Sequence, residues 1–156
     1  MPVKVQTEDF DLTAETASLR LACGPKVGAV ALFLGTVRDL NSGTAVATME
    51  LEHYPGMTEK SLLAICRQAC ERWDIHEPLI IHRVGALKPL DQIVLVAVAA
   101  THRGEAFQAC EFVMDYLKTK APFWKKEQTS AGSRWVDARE TDEVAAKRWA
   151  TNQSRP

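Results

Sequence analysis

Gln92 to Thr101 reads Gln-Ile-Val-Leu-Val-Ala-Val-Ala-Ala-Thr, and no other stretch constrains the fold as strongly. A continuous apolar run of that length, rich in valine, predicts a strand at the centre of a sheet. Gly28 to Val37 is a second such run and predicts a strand buried on both faces. Gly35 inside it points to a bulge or a close backbone approach. Around these two, Val3 to Gln6, Val46 to His53 and Leu79 to Val84 predict further strands, with Val46–His53 folding back on the preceding strand as a hairpin. Gly85 to Asp91 reads as a loop. Trp124–Thr129 and Arg134–Asp137 predict two short strands joined by a Ser130-Ala131-Gly132-Ser133 turn.

Four helices interrupt the strands. Thr13–Ala22 draws on Leu12, Ala17, Leu19 and Leu21 for its contacts and stops at Gly24-Pro25. Pro55-Gly56-Met57 opens a helix to Trp73 with Leu62, Cys66, Ala69 and Trp73 on one face. A third begins near Gly104 or Glu105 with Phe107, Cys110, Met114 and Leu117 as its apolar stripe, and a fourth begins near Asp142 with Val144, Ala145 and Trp149. Hairpins mixed with helices predict an α+β fold with a mainly antiparallel sheet. A length of 156 residues suits one domain over residues 1–150, followed by a polar tail at 151–156.

The third helix runs into Met114-Asp115-Tyr116-Leu117-Lys118-Thr119-Lys120-Ala121-Pro122-Phe123-Trp124-Lys125-Lys126-Glu127. Pro122 must stop the helix, because its ring clashes with the preceding turn and it has no N–H. Lys118 and Lys125 lie on either side of that break, so a bend there can bring two amines toward one point. Crowded ammonium groups attract anions and disfavour each other's charge. A basic helix end that simply complements the helix dipole accounts for Lys118 and Lys120 equally well.

Arg38 ends the Gly28 run, and His102-Arg103 ends the Gln92 run just before a helix N-terminus, where anions are attracted. Strand ends carry polar residues for solvation alone. Only together do Arg38, His102, Arg103, Lys118 and Lys125 suggest a pocket for an acidic, phosphorylated small molecule. The net charge of −1 makes any basic site local and disfavours a nucleic-acid role for Lys118–Lys126 with Phe123 and Trp124. The cysteines Cys23, Cys66, Cys70 and Cys110 form no C-x-x-C pair and read as small buried hydrophobes, so no metal site is expected. No apolar run reaches the length of a membrane span and no signal-peptide layout opens the chain, so the expected compartment is the cytoplasm. Dinucleotide, P-loop, zincin and nucleophile-elbow motifs are absent.

Leu51-Glu52-His53-Tyr54-Pro55-Gly56-Met57-Thr58-Glu59-Lys60, Ala100-Thr101-His102-Arg103 and the Met114–Glu127 stretch resemble the large, catalytic subunit of molybdopterin synthase. Arg134-Trp135-Val136 and Ala145-Ala146-Lys147-Arg148-Trp149 fit as well, so the resemblance spans Gly28 to Trp149. It implies an α/β hammerhead-type fold and a sulfurtransferase that turns cyclic pyranopterin monophosphate into molybdopterin by installing a dithiolene. It implies sulfur delivered as a thiocarboxylate on the Gly-Gly tail of a small ubiquitin-like partner, and a large subunit that dimerises at the centre of a heterotetramer. No cofactor is implied. By the same resemblance the catalytic lysines fall on Lys118 and Lys125. Substrate contacts fall on Thr36, Val37, Arg38, His102, Arg103, Lys126 and Glu127, and Arg139 reaches in across the dimer. Some relatives carry a lysine at the position of Thr36. A non-catalytic module that binds only the partner or a phosphorylated ligand is the alternative.

Overall fold

Two sheets meet at a shared apolar seam, and three helices cover the four-stranded one. The structure, a computed structural model, describes residues 2–41, 44–129, 132–136 and 140–150. The elements are β1 (Val3–Gln6), α1 (Leu12–Cys23), β2 (Ala29–Thr36), β3 (Leu40–Asn41), β4 (Thr44–His53), α2 (Met57–Arg72), β5 (Leu79–Arg83), β6 (Gly85–Leu87), β7 (Gln92–Ala100), α3 (Arg103–Lys120), β8 (Phe123–Thr129), β9 (Gly132–Val136) and α4 (Glu140–Lys147). The first sheet has the order β1-β5-β7-β2, and the second the order β3-β4-β8-β9 with β6 also on β4. Among the described strands only β1 and β5 pair in parallel. The architecture is α+β with antiparallel-dominated sheets, as the mixture of hairpins and helices predicts.

β7 is central, and its alternation explains why. Val94, Val96, Val98 and Ala100 face one core with Leu62, Ile65 and Cys66 of α2 and Ala109, Phe112 and Val113 of α3. Leu95 and Ala97 face the other side, with Ile81 and Phe10 and the flanking Leu12 and Leu19 of α1. A strand buried on both faces needs no polar alternation. Each fully buried Val or Leu here contributes about 1.5–3 kcal/mol relative to exposure.

β2 differs from its expectation. Its run is apolar throughout, yet Leu32 and Phe33 are 43% and 41% exposed, because β2 is the edge of its sheet and only one side is covered. Its partner is β7, while β4 pairs with β3, β6 and β8, so the expected hairpin of β4 on the Gly28 run does not form. Gly35 does mark an irregularity: the register shifts between Gly35 and Thr36. A Cβ there would lie 2.8 Å from Val94 Cγ1. Gly28 is tighter still, since a Cβ would lie 2.2 Å from the Thr101 carbonyl oxygen.

Three further expectations change. Gly85–Leu87 forms a short strand, not a loop, because Gly85 and Leu87 pair with Leu51 and Met49. Phe107, Val144 and Leu21 are 65%, 63% and 83% exposed. These three stand off the packing faces, whereas Cys110, Met114 and Leu117 of the expected α3 stripe are buried with Ala106, Ala109 and Val113, and Ala146 packs from α4. Cys70 is exposed while Cys66 and Cys110 are buried, and burial pushes those two thiols up to about 12 and about 11. Ser130, Ala131, Asp137, Arg139 and the 151–156 tail lie outside the described residues.

Candidate active site

α3 and β8 meet at a corner that carries Lys118 on one arm and Lys125 on the other. α3 stops at Lys120, and Ala121 is already extended (φ −85°, ψ 136°), as a residue before proline must be. The Phe123 N–H donates to the Ala121 carbonyl at 3.0 Å, closing a three-residue turn centred on Pro122. The chain then enters β8 alongside β4, with His53 opposite Phe123, Leu51 opposite Lys125 and Met49 opposite Glu127. Side chains alternate along a strand, so Phe123, Lys125 and Glu127 share one face and Lys126 takes the other. Lys126 accordingly sits over Trp135, with its Nζ 5.7 Å from the ring centroid.

The inner face of the corner is apolar and dry. Val37, Met49, Leu51, Val84 and Leu87 form a buried cluster, with Phe123 packed against it. Glu127 is only 3% exposed. Val37 joins this cluster by its side chain, its N–H donates to the Asp91 carbonyl at 3.0 Å, and its carbonyl accepts from Leu90 at 3.0 Å. Val37 is thus a wall of the site with its main chain engaged in the fold. Thr36 and Arg38 on either side are exposed.

His82 lies beneath the corner. Its ring stacks on Phe123 at 3.9 Å between centroids and 18° between planes. Its Nδ1 is 2.8 Å from the Arg83 carbonyl, which can only accept, so the neutral ring carries its proton on Nδ1. Burial pushes this imidazole down to about 4; the contact with the Arg83 carbonyl opposes the shift, and the charges of Lys118 and His53 add to it. Lys118 therefore lies within electrostatic reach of His82.

The end of α3 is itself clamped. Asp115 accepts from Trp149 Nε1 at 2.7 Å and from Arg148 Nη2 at 2.9 Å. Arg72 of α2 donates to the Trp149 carbonyl at 2.7 Å. These bonds fix the turn that carries Lys118.

The cationic residues thus fall into two groups. Lys118 and Lys125 lie on the two arms of the α3–β8 corner, and Arg38 follows Val37 of the buried seam, to which Glu127 adds a buried carboxylate opposite Met49 and Thr36 an exposed neighbour. His102 caps the opposite end of α3, and Arg103 begins it. Fifteen residues of helix separate Arg103 from Lys118, about 22 Å. Within one chain they do not share a pocket. Arg103 instead borders a small recess with Ala29, Val30, Ala31, Ala106 and Phe107, beside the open edge of β2. Among the described residues no cluster of His, Cys, Asp or Glu has the makings of a metal site. No helix among them is long and apolar enough to cross a membrane. Sequence reading passed over His82 and the buried Thr58. A histidine inside the apolar Leu79–Val84 run was the available signal for the first; nothing local distinguished the second.

The sequence and the fold have counterparts. The chain is 67% identical over 147 residues to the molybdopterin synthase catalytic subunit of Ralstonia nicotianae, covering 94% of this chain and 83% of that protein. It superposes on the molybdopterin biosynthesis MoaE protein from Burkholderia ambifaria with a TM-score of 0.82 at 62% identity, covering 96% of this chain and 97% of that one. It shares a fold, at 18% identity and a TM-score of 0.73, with a chain in the complex of subunits 1 and 2 of the molybdopterin-converting factor from Helicobacter pylori, covering 89% and 92%. The sequence model of the MoaE protein matches residues 5–120, more than half of the chain. On that match and those identities, the chain belongs to the MoaE family.

Proposed function

We propose that the chain is the catalytic subunit of a molybdopterin synthase. It moves two sulfurs, one from the C-terminal thiocarboxylate of each of two small ubiquitin-like carriers, onto a cyclic pyranopterin monophosphate; each carrier leaves as its carboxylate, and the product is a dithiolene. The observation that carries this reading is the Pro122 corner, which sets Lys118 and Lys125 on the two arms of one bend beside a buried apolar wall. An ammonium beside a low-dielectric surface stabilises a developing oxyanion far better than one in water. Lys118 polarises the carrier's terminal carbonyl and serves as acid and base in sulfur addition and loss of water. Lys125 positions the tail. Arg38 grips the phosphate with charge-assisted hydrogen bonds. The thiols of Cys66 and Cys110, buried and held protonated, take no part as sulfur carriers.

The chain acts as a homodimer within a heterotetramer. A second copy supplies His102 and Arg103, and Arg139 belongs to the same cross-dimer group. Support comes from the length of α3, which separates Arg103 from its own Lys118, and from the open edge of β2 with exposed Leu32 and Phe33 beside Arg103.

The test is reconstitution with thiocarboxylated carrier and pterin precursor, read as dithiolene product. Lys118→Ala should lower turnover by about 100-fold or more while the carrier complex still forms. Lys125→Ala should also be severely impaired. Product formation by Lys118→Ala at the unmodified rate removes that lysine from the chemistry, and a wild-type protein that binds carrier without making product is a binding module.

A further inference from the structure

One buried hydroxyl ties the corner to the rest of the molecule. Thr58 is fully buried in the first turn of α2. Its Oγ1 donates to the Pro122 carbonyl at 2.9 Å, across 64 residues of sequence. The same oxygen accepts the Tyr54 N–H at 3.0 Å. The Thr58 N–H donates back to the Tyr54 carbonyl at 2.9 Å, and Glu59 accepts from the Gly56 N–H at 3.1 Å. The Tyr54–Glu59 segment is therefore held by its own hydrogen bonds, and Thr58 Oγ1 carries one outward to Pro122.

That carbonyl is the vertex of the lysine pair. Lys118 is four residues before it and Lys125 three residues after it. Proline offers no N–H, so its carbonyl is the only main-chain group by which this residue can be anchored. Lys125 is already held across β8 by Leu51 and Val136. Lys118 is held by the Asp115 clamp on α3. What relates the strand to the helix is the turn between them, and Thr58 is its tether to β4 and α2.

We propose that Thr58 is a positioning residue for the reaction: its hydroxyl sets the bend at Pro122 and thereby the relative placement of Lys118 and Lys125. This rests on the sulfur-transfer reading above. Thr58→Val keeps the shape and removes the hydroxyl, which leaves the Pro122 carbonyl and the Tyr54 N–H without a partner. Thr58→Ser keeps both bonds.

In the reconstituted synthase, below the melting temperature of every variant, Thr58→Val should lose about 10- to 100-fold in kcat, since a misplacement near 1 Å costs that much. Its KM for the precursor should change less than about threefold, and Thr58→Ser should recover kcat to within about threefold of wild type. A second readout needs no turnover: the ¹³C signals of reductively methylated Lys118 and Lys125 should shift in Thr58→Val and keep their wild-type positions in Thr58→Ser. A lower melting temperature with unchanged kcat and unchanged lysine signals makes Thr58 a stabilising residue only and overturns the proposal. So does Thr58→Ser failing as badly as Thr58→Val. If wild type makes no dithiolene, the sulfur-transfer reading fails by itself, and the lysine signals still decide whether Thr58 sets the bend.

Discussion

His82 is moved out of water by folding and kept neutral there, with Phe123 over its face and the Lys118 charge nearby. An unfolded histidine titrates near 6.5, whereas this one is pushed down to about 4. Between those values the unfolded chain binds the extra proton, so stability must rise with pH across that window. The contribution is complete above pH 6.5 and is lost as the pH falls toward 4, a change of about 3 kcal/mol. Urea unfolding of wild type and His82→Gln, compared at pH 7 and pH 4.5, should show the steeper acid loss in wild type alone; parallel losses would mean that His82 does not titrate as described. Arg38, Lys118 and Lys125 stand out in the sequence as cations beside apolar runs and a helix-ending proline. His82 and Thr58 do not, since their partners Phe123 and Pro122 lie 41 and 64 residues away.

The short turn between β6 and β7 shapes the other wall of the site. Lys88 and Asp91 close it, with the Asp91 N–H donating to the Lys88 carbonyl at 3.0 Å and the Lys88 N–H donating to Asp91 Oδ2 at 3.0 Å. Leu90 occupies its third position with φ 80°, a conformation that favours glycine, and its side chain is 88% exposed. The leucine gains no burial in return for that strain. Leu90→Gly should therefore stabilise the protein by about 0.5–1 kcal/mol, the relieved strain exceeding the extra entropy of glycine in the unfolded chain. A thermal melt should show a rise of about 2–3 °C, and a fall would mean that the backbone is unstrained there. Elements with a strong local signal, β1, β7, α2 and α3, lie where their patterns put them. β3 and β6 escaped, because strands of two and three residues carry no periodicity and exist only by pairing with β4. The apolar run of β2 marks a strand but not its burial, because it does not say whether a sheet continues beyond it.

At the scale of the whole molecule, the two cationic groups sit at opposite ends of one helix. If two copies build each pocket, Lys118→Ala and Arg103→Ala should each be inactive alone. Mixed and re-equilibrated in equal amounts, they should regain roughly a quarter of wild-type activity, because half of the dimers are mixed and each of these holds one intact pocket. A mixture no more active than its parents would place the whole pocket in a single chain. Spacing along a chain says nothing of a second copy, so in the sequence any such sharing rests on the resemblance alone. The helical run from Arg103 to Lys120 also serves as a gauge bar. Each residue added to or removed from it would swing everything beyond by roughly 100° and slide it by about 1.5 Å. Changes of length should therefore be admitted in the connecting segments and refused inside this rod, however conservative the residues involved.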